Sequence, residues 1–344
     1  MKLKNIAVLM GGISPEREVS LRSGNAVAQA LKNAGFNVFS IDVKDEKIEE
    51  LDHIEVDVAF IALHGRFGED GGVQQLLESK GTLYTGSGVK ASKIAMDKLI
   101  TKKHFINAGL KTPDHLVVTE FQEYAEIQRA ILKFGLPVVL KPPQNGSSIG
   151  ISIIKDIKDL KQGLANAFQF GYELLIEKYV KGRELTIGIL DDKALPIIEI
   201  KPSAEFFSYE AKYKDNKTEY LVVETEPKDS AIAHGKRVSR IGALSQNLYA
   251  KAQKLAEDAH RVLGCKGFSR VDMLMNEEGE FYLLEINTIP GFTEKSLLPK
   301  AAHAAGISFP SLCRKIAELA VGDLLVSANK RESRTGKKML DARI

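Results

Sequence analysis

The chain has 344 residues, and its 48 basic and 45 acidic residues leave a net charge of only +3. This near balance excludes the strongly basic composition that is typical of nucleic-acid-binding proteins. No apolar stretch approaches membrane-spanning length, and the chain length predicts two or three domains with a well-buried core.

The two cysteines, Cys265 and Cys313, are too few for a disulfide framework and lack the spacing of metal ligands. Both are therefore predicted to be buried thiols. The short apolar run near the N-terminus is followed too soon by Gly11 and Gly12 to be a signal peptide. We expect a cytoplasmic protein.

The first 90 residues alternate between strand and helix patterns. Apolar runs at 5–10, 36–42 and 57–63 predict strands, and residues 19–34 predict a helix that Gly35 ends. This alternation predicts a parallel sheet with ligands at the carboxyl ends of its strands. Two polar loops, 11–16 and 64–72, follow such strands and serve either a site or merely the turns.

A glycine-containing segment at 86–91 matches the pattern G-x-G-x-x-A of dinucleotide-binding loops. The match is weak because no acidic residue follows at about 20 positions, so a nicotinamide oxidoreductase is a minor alternative. The next helix is predicted over 91–108. Most of its lysines are expected on a solvated face, although one could reach a phosphate: Lys93, Lys98, Lys102 and Lys103.

Residues 110–176 predict a separate α/β unit. Its strands are expected at 115–119, 136–141, 151–154 and 173–179, and its helices at 121–134 and 156–170. Lys141 ends one strand and precedes a loop of small residues, whose N–H groups can hold phosphates while the lysine offsets their charge. This is not a Walker A loop, because the lysine precedes the glycines.

The run 177–184 contains carboxylates that could accept hydrogen bonds from an adenine amino group and ribose hydroxyls, although surface charge explains the run equally well. Strands are predicted at 184–190 and 195–200, followed by an irregular segment, 201–218, that is typical of an active-site lid. Residues 226–245 are expected to be a surface connection. Helices are predicted at 246–263, 298–305 and 309–319, and a loosely ordered basic tail at 327–344.

A predicted hairpin, with strands at 267–275 and 281–287, concentrates the polar residues of the C-terminal half. Alternation places Arg270 and Asp272 on one face of the first strand, and Glu285 and Asn287 on one face of the second. Folding could gather Asp272, Glu285 and Asn287 into a cluster of oxygen ligands suited to Mg²⁺ or Mn²⁺, which commonly share coordination with phosphates. A plain polar strand face is the alternative.

Several segments, taken in order, resemble a known family. They are Gly11-Gly12 with Glu16-Arg17-Glu18-Val19-Ser20, Ala62-Leu63-His64 with Gly68-Glu69-Asp70-Gly71, Tyr84 to Gly88, Met96-Asp97-Lys98, Lys141-Pro142, Gly146-Ser147-Ser148, Tyr209 to Tyr213, Gly267 with Arg270-Val271-Asp272, and Glu285 with Asn287 and Pro290-Gly291. The ordered set resembles the D-alanine–D-alanine ligases of the ATP-grasp superfamily over residues 6–319.

The resemblance implies an α/β (α+β multidomain) protein with the ATP-grasp fold. An N-terminal parallel-sheet domain would occupy residues 1–90 and bind substrate. A central ATP-grasp subdomain at 91–180 and a C-terminal subdomain at 181–320 would follow, with the basic tail at 321–344. The implied activity is ATP-dependent ligation of two D-alanines through an acyl phosphate, supplying peptidoglycan synthesis, in a homodimer that needs Mg²⁺ or Mn²⁺ as two ions.

The same resemblance implies a role for each site residue. Asp272, Glu285 and Asn287 would be metal ligands, and Lys98, Lys141 and Lys212 would contact phosphate. Glu177, Lys178, Val180 through its backbone, and Glu184 would bind adenine and ribose. Glu16 would hold the ammonium group of the first D-alanine with Ser147 and Tyr213 as companions, near His64. Arg270 and the Gly291 N–H would form the oxyanion hole, and Ser296 with Leu297 would hold the second D-alanine.

Two features depart from the usual family pattern. Residues 293–296 read Thr-Glu-Lys-Ser rather than Thr-Ser-His-Ser, and both the 226–245 segment and the basic tail are longer than usual. Tyr213 in the lid favours an amine over a D-lactate hydroxyl as nucleophile, by analogy. A ligase that uses D-lactate and a non-catalytic nucleotide-binding protein are the remaining alternatives.

Overall fold

The computed structural model describes residues 3–146, 149–201, 218–226, 232–233, 236–237 and 242–322. Three of the predicted site residues, Ser147, Lys212 and Tyr213, lie outside these ranges. So do almost all of the predicted lid and the predicted basic tail.

The N-terminal domain contains the predicted parallel sheet. Its strands β1 (Asn5–Gly11), β2 (Asn37–Val43) and β3 (Val58–Ile61) are ordered β2-β1-β3, and both pairings are parallel. Helix α1 (Arg17–Asn33) and helix α2 (Gly72–Ser79) supply apolar side chains to the sheet. All residues of β1 after Asn5 are buried because helices cover both faces, and this explains its uninterrupted apolar run.

The helix predicted over 91–108 is wrong as a single element. The structure has two helices, α3 (Val89–Met96) and α4 (Lys98–Asn107), separated by Asp97 in an extended conformation. The Asp97 carboxylate accepts hydrogen bonds from the N–H groups of Leu99 and Ile100 and so caps α4. The apolar periodicity continues across the break, which is why the pattern alone did not reveal it.

The central unit is a four-stranded antiparallel sheet in the order β4-β7-β5-β6, and its helices cover one face. All its predicted strands and helices are confirmed, with ends displaced by a few residues. The elements are β4 (His115–Thr119), α5 (Tyr124–Phe134), β5 (Val138–Lys141), β6 (Ser152–Ile154), α6 (Leu160–Ala167) and β7 (Glu173–Lys178).

The C-terminal unit is a five-stranded antiparallel sheet in the order β10-β9-β8-β13-β14. Its strands are β8 (Gly182–Leu190), β9 (Lys193–Lys201), β10 (Glu219–Val222), β13 (Phe268–Asn276) and β14 (Phe281–Asn287). Helices α7 (Gln246–Val262) and α8 (Leu297–Ala304) pack on it, and 309–322 is helical.

The predicted surface connection at 226–245 begins and ends at a β-bridge between Thr225 and Leu244. Within its described part, β11 (Ile232–Ala233) pairs with β12 (Lys236–Arg237). The two ends of this segment are therefore held together.

One apolar core joins the N-terminal domain to the C-terminal unit. The ring of Phe292 contacts Phe60 of β3 and Phe268 of β13 edge-to-face, with centroid separations of 5.4 and 5.3 Å. Buried side chains of β1, α1 and α8 belong to the same cluster. The domain limits proposed from the sequence remain predictions, but one apolar cluster contains buried side chains of both the first and the last unit.

Both cysteines are buried, as predicted, and burial raises the pKa of Cys265 to about 11. Within the described ranges, no helix combines the length and apolarity needed to cross a membrane.

The glycine-containing segment at 86–91 is a packing contact. A Cβ atom on Gly86 would lie 3.1 Å from the ring of Phe268, and one on Gly267 would lie 3.7 Å from the Cα atom of Gly86. The Ser87 hydroxyl accepts a hydrogen bond from the N–H of Lys266. These glycines therefore permit close approach of two chain segments, which argues against a dinucleotide loop.

We expect Gly86→Ala to lower the free energy of unfolding by about 1–3 kcal/mol more than Gly35→Ala, the usual range for overpacking. Both glycines have φ near +90°, but nothing lies within 4 Å of a Cβ atom on Gly35. Comparing the two variants thus separates the effect of packing on the free energy of unfolding from that of backbone strain. Urea denaturation followed by circular dichroism measures the difference, and equal losses would contradict the packing role.

Candidate active site

A cleft of about 460 Å³ lies between the central sheet and the C-terminal sheet. Eight of the predicted site residues line it, and they come from α4, both sheets and the connection between them: Lys98, Lys141, Glu177, Lys178, Val180, Glu184, Asp272 and Glu285. The remaining walls include apolar side chains of both sheets, such as Val139, Ile153 and Leu274. The arrangement suits a ligand with an apolar flat part and a charged part.

The hairpin brings the predicted oxygen ligands together. In the pairing of β13 with β14, Asp272 lies opposite Glu285 and Arg270 lies opposite Asn287. Both carboxylates line the cleft, whereas the Asn287 side-chain oxygen accepts a hydrogen bond from the N–H of Ile289. The predicted hairpin is therefore confirmed, and the role of the three residues as metal ligands stays a prediction.

Each hairpin carboxylate has a cationic partner. Arg270 donates two hydrogen bonds to Asp272, at 2.9 and 2.7 Å, and the Thr186 hydroxyl donates a third at 2.5 Å. Lys98 lies 3.1 Å from Glu285. Thr186 was missed by the sequence analysis, although it is two residues after Glu184 and so lies on the same face of β8.

Oxygen donors of this kind fit a divalent cation such as Mg²⁺ or Mn²⁺. Among the residues described, no group of three or more His, Cys, Asp or Glu side chains is arranged to hold a metal ion. The predicted set has only two carboxylates and one amide, so this absence does not test it.

Lys98 also connects the hairpin to the loop after Lys141. Its ammonium group donates to the Asn145 carbonyl at 2.8 Å, and its N–H donates to the Pro143 carbonyl at 3.0 Å. The Gln144 amide donates to the second carboxylate oxygen of Asp97. Asp97 therefore fixes both the start of α4 and the loop that faces it, a role that the sequence did not reveal.

Glu177 occupies the floor of the cleft between two lysines, Lys141 and Lys102. Burial alone would raise the pKa of the Glu177 carboxyl, but the two lysines hold it below its usual value. The carboxylate therefore stays ionised within the cleft.

Lys178, next to Glu177, directs its ammonium group away from the cleft. It donates to the carbonyls of Phe134 and Gly135, at 3.2 and 2.8 Å. Its contribution to the cleft wall therefore comes from the rest of the residue.

A second polar region lies where the N-terminal domain meets the central loop and the end of β14. A Cβ atom on Gly65 would lie 2.9 Å from a carboxylate oxygen of Glu16, and one on Gly146 would lie 3.9 Å from it. Glu16 is thus between loop 64–72 and the loop after Lys141. The Ser14 hydroxyl donates to the His64 carbonyl and supports this arrangement.

His64 is buried and is linked to the segment after β14. Its Nε2 atom shares a hydrogen bond with the Ser23 hydroxyl at 3.1 Å, and that hydroxyl also accepts from the N–H of Phe292. Its Nδ1 atom lies 3.5 Å from Glu69. His64 therefore connects the N-terminal domain to the residue that follows Gly291.

Gly291 and Ser296 lie close together at the start of α8. A Cβ atom on Gly291 would be 3.0 Å from the Ser296 hydroxyl oxygen, which is hydrogen-bonded to the N–H and hydroxyl of Thr293. Leu297 is the first residue of α8. The unusual residues Glu294 and Lys295 are exposed on the outside of this turn.

The chain matches two family models, described as D-ala D-ala ligase N-terminus over residues 44–87 and D-ala D-ala ligase C-terminus over residues 105–318. It is 46% identical to the D-alanine–D-alanine ligase of Geotalea uraniireducens, over 95% of this chain and 98% of that protein. It is 45% identical to the corresponding protein of Geobacter sulfurreducens, over 92% and 94%.

Solved structures give the same result. The D-alanine–D-alanine ligase of Bacillus anthracis complexed with ATP matches with a TM-score of 0.77 and 35% identity, over 92% of this chain and 97% of that one. A second structure from the same organism matches with a TM-score of 0.78. The predicted ATP-grasp fold, preceded by a parallel-sheet domain, is confirmed by this likeness.

Proposed function

The chain belongs to the D-alanine–D-alanine ligase family, an ATP-dependent enzyme family that forms D-alanyl-D-alanine for peptidoglycan synthesis, and from this premise we propose how its residues divide the reaction. The observation that carries this proposed division of roles is the register of the hairpin, which sets Asp272 opposite Glu285 at the wall of a lysine-lined cleft. Carboxylates beside lysines suit phosphoryl transfer, which depends on positioning and charge stabilisation.

ATP binds in the cleft between the two sheets. Lys98 and Lys141 face the phosphates, together with Lys212 from the segment outside the described residues. Adenine and ribose lie against the residues that follow β7, with Glu177, Lys178 and Val180 beside the base and Glu184 near the ribose. The likeness to a Bacillus anthracis ligase that was complexed with ATP supports ATP as the ligand.

Asp272, Glu285 and Asn287 would hold two Mg²⁺ or Mn²⁺ ions together with phosphate oxygens. Such ions, when bound, offset the negative charge of the phosphates. Arg270 and Lys98 already pair with the two carboxylates, so this corner balances acidic and basic groups in a small volume.

The first D-alanine lies between the N-terminal domain and the central loop. Glu16 holds its ammonium group, and its carboxylate points towards ATP to accept the γ-phosphoryl group. Ser147 and Tyr213 are the companions of Glu16, and His64 forms the back of this subsite. The closeness of Glu16 to both Gly65 and Gly146 supports this role.

The second D-alanine lies at the start of α8, where Ser296 and the N–H of Leu297 hold its carboxylate. A helix N-terminus favours an anion, and Ser296 is the N-cap residue of α8. The amine attacks the acyl phosphate, and Arg270 with the Gly291 N–H stabilises the tetrahedral oxyanion before phosphate leaves. The predicted lid, residues 201–218, would exclude water from the acyl phosphate.

The enzyme is a cytoplasmic homodimer in this proposal. Symmetric dimers are the commonest soluble oligomers, and ATP and D-alanine are taken as its partners, without nucleic acid or membrane. Light scattering on the purified protein measures the mass of the assembly.

We expect the purified chain, given ATP, Mg²⁺ and D-alanine, to release one ADP and one phosphate for each D-alanyl-D-alanine formed. When D-lactate competes with D-alanine, the fraction of dipeptide among the dipeptide and ester products should rise with pH, because the attacking amine must be deprotonated. Mass spectrometry of the products measures that fraction. No dipeptide from folded protein would refute the activity, and a predominance of the ester at all pH values would favour a ligase that uses D-lactate.

Arg270→Ala should lower turnover by about 10²–10³, the usual loss for one oxyanion-hole donor, while the dissociation constant of ADP changes little. Arg261→Ala is the matched control, because Arg261 is an exposed arginine paired with Asp258 on α7. Steady-state kinetics and calorimetric titration give the two quantities. Near-normal turnover of Arg270→Ala would refute its role at the oxyanion.

Glu285→Gln should raise the Mg²⁺ concentration for half-maximal activity by about tenfold or more, since metal affinity depends on the charge of the ligands. Glu280→Gln is the control, because that carboxylate precedes β14, is exposed and pairs with Lys111. A Mg²⁺ titration of initial rates distinguishes them. An unchanged Mg²⁺ requirement in Glu285→Gln would remove this residue from the metal site.

A further inference from the structure

Lys102 is a completely buried lysine behind the nucleotide cleft. It belongs to α4, and its side chain is 0% exposed, whereas most lysines of this region were expected on a solvated face. The ammonium group contacts the Glu177 carboxylate at 2.7 Å, the Thr112 hydroxyl at 2.6 Å and the Pro113 carbonyl at 3.0 Å. All three of its N–H donors therefore have partners.

Glu177 transmits this contact to the cleft. One of its carboxylate oxygens pairs with Lys102 and the other with Lys141, whose side chain lines the cleft and is 12% exposed. The three side chains form a row in which Lys141 and Glu177 line the cleft and Lys102 lies behind them. Lys102 cannot contact the ligand itself, since no part of its side chain is accessible.

The charges of the row explain why a second lysine is needed. Glu177 and Lys141 alone would form a neutral pair, because an ionised carboxylate beside an ammonium group cancels its charge. Lys102 neutralises Glu177 from the buried side and leaves the row with a net positive charge. Burial makes a charged lysine costly, so its three polar partners indicate a specific arrangement rather than a space-filling role.

We propose that Lys102 is a positioning residue for nucleotide binding: by neutralising Glu177 it keeps the charge of Lys141 available to the phosphates of ATP. This inference rests on the proposed placement of the phosphates beside Lys141. It adds a residue that acts through two others, at a position where the sequence predicted only solvent exposure or direct phosphate contact.

The test compares two ligands that differ in their phosphates. Calorimetric titration gives the dissociation constants of ADP, with Mg²⁺, and of adenosine for the full chain. Lys102→Met should weaken ADP binding relative to adenosine binding by about ten- to a hundredfold, the loss that is typical when a partner orienting a metal-ligating side chain is removed. Lys103→Met is the matched control, because Lys103 is the exposed neighbour on the same helix.

The double variant Lys102→Met with Glu177→Gln separates electrostatics from packing. It removes one positive and one negative buried charge, so Lys141 again carries an uncancelled charge. We expect its preference for ADP over adenosine to return close to that of the unmodified chain. A lost contact between Glu177 and the adenine base would weaken both ligands and leave their ratio intact.

The measured quantity is the dissociation constant of adenosine divided by that of ADP. The inference is overturned if this ratio in Lys102→Met equals that of the unmodified chain, or if the ratio stays low in the double variant. If Lys102→Met does not fold, the preference for ADP over adenosine is compared between the double variant and the unmodified chain. A similar preference supports the inference, and a lower preference overturns it. If the unmodified chain binds ADP no better than adenosine, the phosphate site beside Lys141 fails, and the role of Lys102 fails with it. That failure is distinguishable from a failure of the Lys102 role alone, because it is seen in the unmodified chain.

Discussion

The contact of Phe292 with Phe60 and Phe268 is the constraint on which the active site depends. It joins the last strand of the parallel sheet to the hairpin strand that carries Arg270 and Asp272. Because interiors are densely packed, neither side can shift without disturbing the other. Residues of the N-terminal domain, such as Glu16 and His64, are thereby held against the segment that contains Gly291.

Paired charges organise the other side of the site. Asp272 is held by Arg270, Glu285 by Lys98, and Glu177 by Lys102 and Lys141. A carboxylate that was buried without such a partner would lose much free energy of solvation or take up a proton. The pairs keep several charged groups close together in a cleft where a polyanionic nucleotide and its metal ions must also fit.

The sequence could predict much of the site because its motifs are short and local. Alternation along β13 and β14 was enough to place Asp272 and Glu285 on a shared hairpin, and their register confirms it. The same reasoning failed at Asp97, where the apolar spacing continues through a helix break that a capping side chain creates. For Lys178 the local pattern placed the residue at the cleft but could not show that its ammonium group binds carbonyls of another segment.

The sequence by itself determined the order of most strands and helices, the ligase resemblance and most of the charged residues that line the cleft from Lys98 to Glu285, because periodicity and short motifs are properties of neighbouring residues. Only the tertiary structure decided which charges meet. Lys102 and Lys103 are adjacent and chemically alike, yet one is buried against Glu177, 75 positions away along the chain, and the other is exposed. Burial and long-range ion pairing depend on how the two sheets and α4 pack, and no local pattern contains that information.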